Sequence, residues 1–398
     1  MRVLVLDEEF PWPLNTGKRI RSYHLISRLA TNHEVRYLAY GDESSEAFHH
    51  FASNRLNPIA VRPHVPPKEG PAFYLRLLLN LFSRYPYIVQ SHYSRAFADA
   101  VRHISHEWRP DVVLCEWTPY AVFARENKSI PVVVAAHNIE TRIWERYREA
   151  ETNPARRWYI GRQIPKVRRF EEKTFGMVQG VTAVSQLEAD DIRCISASCR
   201  VEVVDNGVDL TYFNSTGGAP APNSAVFTGS MDWRPNQDAA IYFCNDILPL
   251  IQLKISDFTV TFVGRKPPQS IIDLQKLKGV TVTGTVDDVR PFIDKAGVYI
   301  VPLRIGGGSR LKILEALAMK RAIVSTTIGA EGLHLCNNEH LLVADSPHAF
   351  AEQVVQLLSD RPLCERLGDN GRKAVEQSYG WDALAVRLEK FLLSVGKS

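Results

Sequence analysis

The sequence predicts an α/β protein made of two doubly wound domains in tandem, each a parallel sheet with helices on both faces. Three observations predict it. Short β-branched or leucine-rich runs alternate with longer segments of helical apolar spacing along most of the 398 residues, which is the pattern of parallel sheets rather than of hairpins. The alternation is broken at residues 215–223, where small residues and proline accumulate, and then starts again. The length also exceeds one ordinary core, since a domain takes about 100–200 residues.

The first strand is expected at residues 3–6, where Val3, Leu4, Val5 and Leu6 follow one another without a polar break. Residues 17–30 then carry Ile20, Leu25, Ile26 and Leu29 at helical spacing, and 34–40 form a second strand. Further strands are expected at 111–115, 131–136 and 180–185, separated by helices such as 91–107 and 158–175. Beyond the break, strands at 225–228, 258–263, 280–283, 298–302 and 322–325 alternate with helices at 238–250, 270–277, 287–296 and 309–319. A last helix at 381–394 lines up Leu384, Leu388, Phe391 and Leu392 and needs a partner surface. The expected domains are 1–205 and 206–378, followed by a C-terminal helical segment at 379–398. No short-period repeat occurs, which excludes a solenoid.

Composition narrows the function. Lys plus Arg number 48 against 44 Asp plus Glu, a balance of +4, so no nucleic acid partner is indicated. With 45% hydrophobic and 23% charged residues, disorder is excluded. No apolar run reaches the roughly 18 residues of a membrane span, and the N-terminus turns acidic at Asp7 before a signal peptide could form. A cytoplasmic protein is expected, at most peripheral on the inner face of a membrane. The cysteines at 115, 194, 199, 244, 336 and 364 form no Cys-x-x-Cys pair, so a reducing compartment and no structural metal are expected.

Charge is uneven along the chain. From Arg142 to Lys173 ten Arg/Lys face five Asp/Glu, a local +5 that exceeds the balance of the whole chain. Upstream, residues 73–85 form an apolar and aromatic stretch carrying Arg76 and Arg84, too short to span a bilayer. The plainer expectation is a core helix beside a solvated charged helix. The sharper one is a surface that docks on an anionic membrane.

The most informative segment runs from Val301 to Lys320. A buried strand ends, Gly306, Gly307 and Gly308 turn, Ser309 is placed to cap, and a helix starts with Leu311, Leu314 and Ala318 on its inner face. Such a turn offers free backbone N–H groups to an anion. Arg310 and Lys312 fall at the positive end of that helix, where a cation is unfavourable by about 0.3–1 kcal/mol. Glu315 neutralises one of them, whereas a bound diphosphate would satisfy both. No phosphate loop ending in Gly-Lys-Ser/Thr occurs, and no Gly-x-Gly-x-x-Gly follows Leu6, which disfavours a nicotinamide oxidoreductase.

With these residues in view the chain resembles the retaining glycosyltransferases of the GT-B fold, specifically family 4. The carrying residues are Pro11-Trp12-Pro13-Leu14-Asn15-Thr16-Gly17, Ala136-His137-Asn138, Thr182-Ala183-Val184-Ser185, Asn206-Gly207-Val208-Asp209, Phe227 to Asn236, the Gly-rich helix and Gly329-Ala330-Glu331-Gly332. Their order and spacing are specific together, and the resemblance covers nearly the whole chain. It implies two Rossmann-like domains facing across a cleft, with acceptor on the first and nucleotide-sugar donor on the second, and the C-terminal helix crossing back to the first.

The resemblance also implies roles. Glu315 matches the second acid of the family's Glu-x7-Glu motif, which holds the donor ribose; the first acid is replaced here by Gly307. The diphosphate is held in many relatives by an Arg and a Lys six residues apart, and those places fall on Ser230 and Asn236. Arg234, Arg310 and Lys312 are the expected substitutes, with Gly306, Gly307 and Gly308 adding backbone donors. His137 is expected at the donor sugar, and Gly17 lets the N-terminal loop approach the diphosphate. Arg310 and Lys312 stabilise the leaving group, with no protein nucleophile, no cofactor and no metal. The acceptor is expected to be a lipid-linked or polysaccharide-precursor glycan. A nucleotide-sugar epimerase and a non-catalytic nucleotide-sugar-binding protein are the alternatives.

Overall fold

The computed structural model of the chain describes residues 1–62, 69–124, 129–215, 220–305 and 310–396. The chain divides into two compact units, Met1–Asp205 with Leu384–Ser398, and Asn206–Ala383.

In the first unit β1 (Arg2–Asp7), β2 (Glu34–Tyr40), β3 (Pro58–Val61), β4 (Val112–Cys115), β5 (Val132–Ala136), β6 (Gly180–Ala183) and β7 (Val201–Val203) form one sheet in the order β3-β2-β1-β4-β5-β6-β7. All of its pairs are parallel. Val3 sits between Val35 and Val112, and Val3 to Leu6 are wholly buried, as strands covered on both faces must be. The second unit contains β8 (Ser224–Thr228), β9 (Thr259–Val263), β10 (Val280–Val282), β11 (Val298–Val301), β12 (Ile323–Ser325) and β13 (Leu342–Val343), ordered β10-β9-β8-β11-β12-β13 and again parallel. Strand order reverses between β1 and β4 in one sheet and between β8 and β11 in the other. A crevice opens at the carboxyl ends of such a pair, because the flanking connections leave towards opposite faces.

Several expected elements shift. The helix expected at 91–107 is two, Tyr87–His92 and Arg95–Glu107. Tyr93 is extended, and the Ser94 side chain accepts from the Phe97 N–H to start the second helix, which is ordinary N-capping. The helix expected at 238–250 opens earlier, at Arg234, and passes through a π turn at Phe243–Ile247 before Leu248–Gln252. Pro249, which has no N–H to give the preceding turn, lies at that junction. The edge strands β3, β7 and β13 were not expected, nor were the helices Pro347–Ser359 and Arg361–Ser378.

The last helix, Trp381–Gly396, passes from the second unit to the first at residue 384. Leu384, Leu388 and Leu392 are buried. Phe391 lies so close to the start of β6 that a Cβ on Gly180 would stand 2.5 Å from its ring. Glu389 meets His33 at 2.7 Å, and Arg387 donates to the Val203 carbonyl at 3.2 Å. No described helix is long and apolar enough to cross a membrane.

Close packing inside the second unit gives a test. A Cβ on Gly368, in the helix Arg361–Ser378, would lie 2.2 Å from the Lys320 carbonyl oxygen. Alanine is the better helix former by about 1 kcal/mol, yet overlap with fixed backbone should win. Gly368→Ala is expected to destabilise by about 1–3 kcal/mol, read as a lower urea midpoint; an unchanged or higher midpoint would refute the packing argument.

Candidate functional site

The carboxyl edge of the first sheet carries a dense set of ionisable groups. Asp7 ends β1 and is buried, its two oxygens accepting from Lys18 Nζ at 2.7 Å and Tyr37 Oη at 2.6 Å. Glu8 follows and accepts from the same Lys18 ammonium at 2.7 Å. Burial pushes Asp7 up to about 6 despite Lys18. Burial also works against ionised Glu8, but the Lys18 charge and hydrogen bond, with His92 and His137, together outweigh it and hold Glu8 below its ordinary value. Lys18 is itself pushed up, because Asp7 and Glu8 together overcome its own desolvation.

Beside them, Glu116 follows β4 and His137 follows β5. Glu116 accepts from the Ser22 hydroxyl and lies 3.4 Å from His137 Nε2. Desolvation lowers His137 below its usual value although Glu116 pulls it up. Burial disfavours ionised Glu116, yet His137 and Ser22 hold it low. Glu140 accepts from Trp117 Nε1 at 2.7 Å and is raised by burial to about 7. This edge thus gathers carboxylates around Lys18 and His137, a polar surface suited to bind hydroxyl groups. Gly17 is exposed as the first residue of the helix Gly17–Asn32, next to the capping Thr16.

In the second unit the residues converge beyond β8 and β11. The helix starts at Leu311, with Arg310 rather than Ser309 at its cap position, and no side chain caps it. Gly306, Gly307, Gly308 and Ser309 lie outside the described residues. Arg310 takes a left-handed backbone, φ 48°, at a cost of about 1 kcal/mol for an L-residue. Its guanidinium is buried and reaches Glu331 at 3.4 Å. Lys312 Nζ donates to Asn236 Oδ1 at 2.7 Å and stands 4.0 Å above the Phe227 ring. Desolvation lowers Lys312 to about 7, with Glu315 opposing and Arg310 adding to the fall. Glu315 is raised to about 7 by the same burial, and Lys312 pulls it back. Both charges are therefore disfavoured in a partly buried site where two cations converge, which an anionic ligand would correct.

Arg234 opens the helix Arg234–Tyr242 in solvent and makes no ion pair or side-chain hydrogen bond among the described residues. The structure therefore brings together Arg310, Lys312 and Glu315, but does not join Arg234 to them. Sequence reasoning missed Asp7, Glu8, Lys18 and Glu116. For Asp7, Glu8 and Glu116 the available signal was a titratable residue at or directly after the end of a buried strand.

The six cysteines are unbridged. Among the described residues, Cys336, Glu339 and His340 bring ligand atoms within 4.8 Å of one another. The Cys336 N–H donates to His340 Nδ1 at 2.9 Å, which in a neutral ring leaves the proton on Nε2 and works against a metal there.

A family model described as "Glycosyl transferase 4-like domain" matches residues 16–207, and one described as "Glycosyl transferases group 1" matches 222–360. An uncharacterised 44.6 kDa protein in the cps region of Klebsiella pneumoniae is 20% identical, over 95% of this chain and 96% of that one. A GDP-mannose-dependent alpha-(1-6)-phosphatidylinositol monomannoside mannosyltransferase of Mycobacterium tuberculosis is 29% identical, over 36% of this chain and 42% of its own. The solved sucrose-phosphate synthase of Thermosynechococcus elongatus shares the fold, with TM-score 0.69 and 15% identity over 99% of this chain and 98% of that one.

Glu140 supplies a test of the first edge. Its folded value of about 7 exceeds the value of about 4.3 for an exposed Glu, so the folded form binds that proton more tightly. Its contribution to stability is present below about pH 4 and lost as pH rises to about 7. Glu140→Gln keeps an acceptor for Trp117 and removes the titration. Relative to the parent it should gain about 3 kcal/mol on going from pH 4 to pH 8, followed by thermal unfolding at both values. A pH-independent offset would contradict the assignment.

Proposed function

The chain belongs to the group 1 glycosyltransferases of the GT-B fold, and from that footing we propose that it moves a sugar from a nucleotide-sugar donor to an acceptor hydroxyl with retention. The observation that carries the donor half is the meeting of Arg310, Lys312 and Glu315 at the carboxyl edge of β8 and β11, two cations and a carboxylate in partial burial. In this reading the cations hold the diphosphate, and Glu315 accepts from the ribose hydroxyls, since one carboxylate serves two donors.

The proposed reaction breaks the bond between the sugar's anomeric carbon and the diphosphate oxygen while positive charge spreads over the ring. The acceptor hydroxyl attacks from the same face, and its proton passes to the departing diphosphate. No protein nucleophile takes part. Preorganised cations at the leaving group and fixed placement of the hydroxyl supply the acceleration. His137, held near Glu116, orients the sugar or polarises a hydroxyl, and the carboxylate-rich first edge receives the acceptor.

The proposed acceptor is a lipid-linked or polysaccharide-precursor glycan, reached from an anionic membrane surface. Support comes from the helix Pro71–Asn80, where Tyr74, Leu75, Leu78 and Leu79 are each more than half exposed, followed by Phe82 at 86%. Exposed apolar side chains on this scale mark a surface that meets something. Asn80 ties the helix to the basic helix Pro154–Phe175 by accepting from Gln163 at 2.8 Å and, at its carbonyl, from Lys166 at 2.6 Å. Trp158 on that helix is also exposed, beside Arg162. An apolar face bordered by arginines complements an anionic bilayer.

Nucleotide release from UDP-, GDP- and ADP-sugars, with a lipid extract as acceptor, tests the activity. One donor should be consumed, Glu315→Ala should lower the rate by about 10²-fold or more, and the product should keep the donor's anomeric configuration. Failure to turn over any donor with any acceptor fraction would leave the binding-protein reading standing. Separately, the protein should sediment with anionic vesicles and not with neutral ones, and Leu78→Glu with Phe82→Glu should release it; equal failure to bind both kinds would end the membrane reading.

A further inference from the structure

Resting on the nucleotide-sugar reading, we infer that Arg265 and Lys312 together hold the donor diphosphate, supplying from other elements the two cations that this chain lacks at positions 230 and 236. Ser230 and Asn236 are neutral, yet each accepts a hydrogen bond from a cation. Arg265, two residues beyond β9, donates through Nε to Ser230 Oγ at 2.6 Å. Lys312, in the first turn of the helix Leu311–Ala318, donates to Asn236 Oδ1 at 2.7 Å. The Asn236 amide in turn donates to the Ser230 carbonyl at 2.8 Å. Arg265, Ser230, Asn236 and Lys312 thus form one continuous hydrogen-bonded series at the edge where the strand order reverses.

Two glycines make the room. A Cβ on Gly229 would lie 2.9 Å from Lys312 Nζ and 2.7 Å from Asn236 Nδ2. A Cβ on Gly264 would lie 1.8 Å from the Gly229 carbonyl oxygen. The loops after β8 and β9 therefore touch backbone to backbone. They are also laced together, Gly229 N–H to the Val263 carbonyl at 2.9 Å and Met231 N–H to the Arg265 carbonyl at 3.0 Å. That lacing fixes where the Arg265 side chain starts.

Charge points to the ligand class. Arg265 is exposed and forms no ion pair among the described residues, and Arg310 and Lys312 crowd the same edge. Glu315 faces Lys312, and Glu331 faces Arg310. A diphosphate brings the missing negative charge and enough oxygens to accept from a guanidinium and an ammonium at once.

The test is calorimetric titration of UDP, GDP and inorganic pyrophosphate, with uridine and guanosine as controls, into the parent, Arg265→Ser, and the exchange variant Ser230→Arg with Arg265→Ser. Arg265→Ser should weaken the preferred nucleoside diphosphate about tenfold or more and leave the matching nucleoside unchanged. The exchange variant should recover most of the loss, which a purely structural arginine would not allow. Nucleoside diphosphate binding to Arg265→Ser at parental strength, or an equal loss for the nucleoside, would overturn the inference while the donor reading stood. A parent that binds neither nucleoside diphosphate nor pyrophosphate would overturn both.

Discussion

A parallel sheet buried on both faces leaves its strands nowhere to place a charge except at their ends, and that constraint organises this chain. Val3 to Leu6 and Val298 to Val301 are wholly buried, so an ionised side chain within them would face a large desolvation penalty. At the strand ends it can be offset by partners, as Lys18 does for Asp7 and Ser22 for Glu116. Asp7 closes β1, Glu116 and His137 follow β4 and β5, and Gly229 follows β8. Connections leave β1 and β4 towards opposite faces of the sheet, as they do β8 and β11, so the space beyond these strands is open. Topology thus decides where chemistry can sit before any residue is chosen for it.

The two edges then differ in how their charges are balanced. In the first, Lys18 is shared by Asp7 and Glu8, and Glu116 has both Ser22 and His137. Burial still disfavours charge on Asp7 and Glu140, but each has a fixed polar partner, Lys18 and Trp117. In the second, burial and then Arg310 disfavour the charge on Lys312, and burial disfavours the charge on Glu315. Such a site gains most when an anion arrives, because the ligand both neutralises the cations and replaces the water they lack.

Most of the fold was legible because buried strands read as unbroken apolar runs. β1, β2, β5 and β8 lie within a residue or two of their expected bounds. What was not legible was set by local contacts that leave little trace in periodicity. The break at Tyr93 depends on Ser94 turning its hydroxyl to the Phe97 N–H. β13 is two residues long and β7 three, too short for any pattern. At the site, Lys312 and Glu315 stood out through their place after a glycine-rich turn. Lys18 did not, because its partner Asp7 is 11 residues away in sequence and only the fold brings them close. Arg234 is near Asn236 in the chain, and its side chain stays in solvent.

The second edge draws its cations from other elements. A ligand responds to where charge stands in space, and the chain position that delivers it is free to change if the backbone allows. Arginine at 230 and lysine at 236 would reach the edge from the loop after β8 and from the helix that follows it. Arg265 and Lys312 instead hydrogen-bond to the side chains at those two positions, from the loop after β9 and from the helix after β11, the strands flanking β8 on either side. The change requires that the loops after β8 and β9 approach until their backbones touch, which Gly229 and Gly264 permit and no side chain would. Read position by position, Ser230 and Asn236 look like the loss of a diphosphate site. Read through their hydrogen bonds, they are the acceptors that steer two relocated cations, and the glycine pair is the sequence feature that marks the relocation.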